Sequence, residues 1–203
     1  MREVSWQRGE VDSESFAGNA GRQPMLHPLK RYLVWLNVFG GLAVLGSYAY
    51  GFVAHASTVG AVWGGVPQGL RPLYTWSMLA AAAGYFAFSF FVLFRLDPRA
   101  ARISDRVGYA GFLWLYALIL LPSALWMPLT FTMLEAPGAA LWWVIRLVLA
   151  SVGVGSLGLL LAIYSVKPAR ATIARGVALA GALAFVFQTA VLDAIVWPAF
   201  FPY

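Results

Sequence analysis

Residues 139–166 read AALWWVIRLVLASVGVGSLGLLLAIYSV, an apolar run interrupted by one charged side chain, Arg146. As a helix rising 1.5 Å per residue, a run of this length exceeds the roughly 30 Å hydrocarbon core of a bilayer. It is apolar on more than one face, whereas a helix on the surface of a soluble protein keeps a polar side. The stretch therefore reads as a membrane-spanning helix. Outward from it, runs at 31–55, 72–95, 107–133 and 171–197 repeat the pattern. The expected fold is an all-α membrane protein, a five transmembrane helix bundle over residues 29–203, preceded by a polar N-terminal tail over 1–28.

Composition agrees, since 61% of the 203 residues are hydrophobic and 11% charged, against about 25% charged in soluble domains. The absence of cysteine excludes disulfides, thiolate metal sites, iron–sulfur clusters and cysteine nucleophiles. A net charge of +6 would suggest nucleic acid in a soluble protein, but these basic residues flank membrane segments, so no nucleic-acid partner is expected. The tail carries Gly9, Gly18, Gly21 and Pro24 without apolar periodicity. No apolar run follows a short basic start, so the tail does not read as a signal peptide.

Basic residues set the expected orientation. Twelve of the 14 Lys and Arg residues fall in the tail and in the 2–3 and 4–5 connections, Arg71 alone on the opposite side, and Arg146 within a span. Cytoplasmic loops retain positive charge, which predicts the N-terminus inside and the C-terminus outside. The sequence does not separate a bacterial inner membrane from an organellar one.

Within the spans, small residues at Gly40, Gly41, Gly46, Ala80, Gly84, Ser151, Gly155, Ala178 and Ala182 are suited to close helix contact. Pro122 and Pro128 each remove a backbone hydrogen bond from the third helix, which is expected to bend there. Ionisable groups in hydrocarbon are costly, so Arg146 and Asp193 are expected to face the bundle interior and form a structural ion pair. The alternative role for Asp193 is a polar anchor for a ligand. Trp35, Trp63, Trp142, Trp143 and Trp197 fall near the expected interfaces, where an aromatic belt forms. Trp76, Trp114 and Trp126 are better placed to form the wall of a pocket that stacks a flat ligand.

Catalytic constellations are missing. The two histidines, His27 and His55, lie at helix borders, where His55 reads as a solvated helix-end residue. No nucleophile elbow, paired-histidine metal motif, phosphate loop or dinucleotide fingerprint occurs. No catalytic or metal site is expected, and the chain does not read as an enzyme.

Three stretches carry a family resemblance. Trp126-Met127-Pro128-Leu129-Thr130-Phe131 is similar to a W-S-P-L-F-F motif, Pro137-Gly138-Ala139-Ala140-Leu141 to P-G-x-A-L, and Leu192-Asp193-Ala194-Ile195-Val196-Trp197 to an L-N-x-x-I-W-like run. In their order these resemble the tryptophan-rich sensory protein and translocator protein (TspO/MBR) family of five-helix membrane proteins. The chain differs in lacking the family's W-x-P-P loop core, in Ile119 and Ser123 where Gln and Asn stand, and in Phe185 at a tryptophan position. The resemblance implies a cavity between helices that takes a porphyrin, another tetrapyrrole or a sterol, often in a homodimer. It places Trp76, Trp126, Phe185 and Asp193 on that cavity.

Two functions follow from the sequence. One is a receptor-like binder of tetrapyrroles or other flat hydrophobic ligands, with a sensing or trafficking role. The other is a non-catalytic accessory or structural subunit of a larger membrane complex. A transporter would need a polar path, for which Asn37, Arg146, Gln188 and Asp193 are too few.

Overall fold

The computed structural model describes residues 26–168 and 172–201, so most of the polar tail lies outside the described residues. Its elements are α1 (Pro28–Ala54), α2 (Arg71–Phe90), α3 (Ala110–Glu135), α4 (Ala139–Ser165), α5 (Ile173–Val186) and the short α6 (Trp197–Phe200). A π-helical turn, Phe91–Arg95, continues α2, and a longer π-helical segment, Phe187–Val196, joins α5 to α6. Five helical spans are long and apolar enough to cross a membrane, and the described residues contain no strand. The protein is a multi-pass, all-α membrane protein. Many large apolar side chains, such as Phe94, Leu147, Val154 and Ile195, point outward, which suits lipid rather than water.

Helix starts follow local chemistry. His27 Nδ1 accepts the Leu29 amide at 3.3 Å ahead of α1, with Pro28 leading the first turn, where a missing N–H costs nothing. Thr172 Oγ1 accepts the Arg175 amide at 3.2 Å to open α5, an N-cap. Pro122 and Pro128 lie inside α3, which continues through both as one α-helix. Nearby hydroxyls fold back onto the backbone, Ser123 Oγ donating to the Ile119 carbonyl at 2.7 Å and Thr130 Oγ1 to the Trp126 carbonyl at 2.8 Å.

α3 packs between α1 and α4, while α2 packs on α5, and α4 supports α5 and its π segment. No comparable packing joins α1 to α2. The tightest approach is at Gly84 and Gly181, where a Cβ on Gly181 would stand 2.7 Å from the Gly84 Cα. Gly40 meets Leu120 and Gly155 meets Ile119 in the same way, whereas Gly41 and Gly46 have open space around them. Alternate connections meet at opposite ends of the bundle. At one end Arg102 and Lys167 exchange backbone hydrogen bonds of 3.0 and 2.8 Å. At the other, the Gly65 amide donates to the Phe200 carbonyl at 2.8 Å and Trp197 Nε1 to the Val62 carbonyl at 2.9 Å.

Two aromatic side chains placed in the interfacial belt by sequence belong to the core instead. Trp142 and Trp197 are buried, and with Phe201 they form one cluster in which the Trp197 and Phe201 centroids lie 4.6 Å apart. Trp35 and Trp143 do face outward. His55 is not simply solvated, since it stacks on Phe131 with centroids 4.1 Å apart and lies 3.4 Å from a Glu135 carboxylate oxygen.

Candidate ligand cavity

All five spans contribute to one cavity of about 920 Å³ at the centre of the bundle. Its walls are mainly aliphatic and aromatic, with Tyr48, Trp63, Tyr74, Tyr85, Trp126, Phe185 and Trp197 supplying rings. The volume lies within the range of small-molecule pockets, about 300–1,000 Å³, and the mix of apolar wall with few polar groups is what such sites share. Leu42, Leu45 and Phe52 of α1 and Met78 and Phe86 of α2 line it and are also exposed on the outside of the bundle. The cavity therefore opens sideways, between the two helices that do not pack on each other. One polar link spans that opening, the Tyr85 hydroxyl donating to Asn37 Oδ1.

The polar end of the cavity is made by the π segment. Gln188 Nε2 donates to Asp193 Oδ1 at 2.8 Å. In an α-helix, residues five apart are rotated by about 140° and face different neighbours. The i→i+5 turn of a π-helix brings them onto one side. The wider segment lies against Gly153 of α4, where a Cβ would come within 3.1 Å of the Ala190 Cα. Thr189 Oγ1 ties it to the same helix, 2.8 Å from Ser156 Oγ, and lies 2.8 Å from the Phe185 carbonyl of its own helix. Tyr74 donates its hydroxyl to the Leu192 carbonyl at 2.9 Å, as Tyr109 does to the Val92 carbonyl in the first π turn, at 3.1 Å.

Of the residues singled out by sequence, Trp126, Phe185 and Asp193 line the cavity together. Trp76 does not. It is 72% exposed on the outer side of α2, as Trp114 is on α3 at 77%, because each helix turns those positions away from the bundle. The Arg146–Asp193 ion pair does not form either. Arg146 is exposed on α4, its guanidinium 5.2 Å from the Trp143 ring centroid, an arrangement in which a long side chain covers apolar surface while its head reaches the interface. The acceptor that was expected to need a cation is held by an amide instead. Among the described residues the only ion-pair contact is His55 with Glu135, and no group of metal-ligating side chains occurs.

Sequence reading missed the rest of the polar end. Gln188 is 5% exposed, and its Oε1 is buried without a hydrogen-bond partner, as is Trp126 Nε1. Unpartnered buried polar atoms are rare, and both of these belong to residues that line the cavity. The available signal was a lone Gln five residues from a lone Asp, a spacing that has no meaning for an α-helix.

Compared with known protein families, curated proteins and solved structures, the chain matches none. Fold and site together define a five-span membrane protein built around a laterally open, largely apolar cavity.

Proposed function

We propose that the protein binds a flat, largely apolar ligand inside the bundle, in a sensing or trafficking role. The observation that carries this is the cavity itself, lined by Trp126, Phe185 and Tyr48 and open toward lipid between α1 and α2. A hydrophobic ligand dissolved in the bilayer reaches such a site without crossing water.

The resemblance of Trp126–Phe131, Pro137–Leu141 and Leu192–Trp197 to the TspO/MBR family supports a tetrapyrrole-shaped ligand as the first class to test. In this reading the basic 2–3 and 4–5 connections lie on the cytoplasmic side of a bacterial inner or organellar membrane, with the C-terminus opposite.

The test is a titration in a neutral detergent with etioporphyrin, a tetrapyrrole bearing only alkyl groups, followed by tryptophan quenching. Saturable quenching that weakens in Trp126→Phe is the expected result. Quenching that rises linearly in both, as for partition into the micelle, would refute the binding reading, and migration of the chain in a large assembly would favour an accessory subunit.

A further inference from the structure

We propose that the polar end of the cavity selects a lipophilic amine, whose ammonium group donates to the Asp193 carboxylate while its flat apolar body lies against Trp126. This rests on the cavity being a binding site and names the chemistry of its ligand.

Asp193 and Gln188 leave hydrogen-bonding capacity unused. Asp193 accepts one hydrogen bond, at Oδ1, and no described residue donates to Oδ2. Gln188 presents its NH₂ to this carboxyl, which leaves the amide's carbonyl oxygen on the far side. That oxygen is buried and unpartnered. Gln188 thus holds Asp193 from behind with its own oxygen enclosed in the protein, and the second carboxyl oxygen of Asp193, on the cavity wall, stays free to accept from a ligand. An ammonium, with three N–H donors, matches it.

Charge points the same way. The residues lining the cavity include Asp193 but no Lys, Arg or His. A carboxylate-bearing ligand would place a second negative charge beside the first in a poorly solvated space, where like charges repel strongly. A neutral ligand would leave the Asp193 carboxylate without a counter-charge. A cationic amine meets both demands, and surrounding rings such as Tyr48 and Trp126 add attraction for its charge.

The test uses three compounds with one aromatic body: 1-pyrenemethylamine, 1-pyrenemethanol and 1-pyrenecarboxylate. Each is titrated into the full-length protein in a neutral detergent, with Asp193→Asn as the variant. The amine is expected to bind at least ~10-fold more tightly than the alcohol, as charge-assisted hydrogen bonds imply, with the carboxylate weakest. In Asp193→Asn the amine is expected to lose its preference over the alcohol. If amine and alcohol bind alike in the wild type, the amine proposal is overturned and the apolar-ligand reading stands. If none of the three saturates, both are overturned. The wild-type ranking decides the matter even where the variant does not fold.

Discussion

Gln188 and Asp193 are joined by a 2.8 Å hydrogen bond across a single π-helical turn, so the carboxyl inside this membrane protein takes its hydrogen bond from its own helix and not from a cation on another. That predicts which substitutions interact. In a double-mutant cycle read by unfolding in detergent, Gln188→Leu and Asp193→Asn should be non-additive, by about 0.5–3 kcal/mol, as residues in contact are. Arg146→Gln and Asp193→Asn should add within about 0.5 kcal/mol. Coupling between Arg146 and Asp193 above that would restore the ion pair.

Gly84 and Gly181 set the distance between α2 and α5. Gly84→Ala puts a methyl group into the Gly181 backbone, which has no rotamer by which to yield. The expected loss is about 1–3 kcal/mol, as for overpacking elsewhere, despite alanine's better helix propensity. A thermal midpoint equal to or above the wild type would show that the helices separate freely.

The five spans were legible in the sequence because membrane solvation acts on the whole helix. Each needs about 20 apolar residues whatever its neighbours do, and the expected 139–166 became Ala139–Ser165. The side chains facing the cavity were less legible, because a helix apolar all round carries no stripe to show its inner face. Trp76 and Trp126 look alike in sequence, yet one faces lipid and the other the cavity. The Asp193 environment was illegible for a different reason. Its partner stands five residues away, and only a change of helix type makes that neighbour a contact. The expectation of a cation reflected the cost of an ionised group in hydrocarbon, but an amide supplied the hydrogen bond.

Tyr85 and Asn37 form the one side-chain hydrogen bond between α1 and α2 among the described residues. Tyr85→Phe removes it while keeping the ring, which packs near Phe88 and Phe185. The expected stability loss is about 1 kcal/mol, typical of one hydrogen bond. If the gap between these helices is the way in, stopped-flow quenching should show faster binding and faster release of a pyrene ligand. Rates unchanged in both directions would place the access route elsewhere.

Gly41 separates the cavity's role from the bundle's stability. It lines the cavity, and a Cβ there would meet nothing within 4 Å. Gly41→Leu therefore fills ligand space without displacing a helix, and it replaces a poor helix former with a good one, a gain of up to about 1 kcal/mol. The variant should unfold no more easily than the wild type and bind etioporphyrin or pyrene compounds at least ~10-fold more weakly, the equivalent of about 1.4 kcal/mol. Gly84→Ala should do the reverse, weakening the bundle more than binding. Undiminished binding in Gly41→Leu, with stability intact, would mean that the ligand occupies some other surface of the protein.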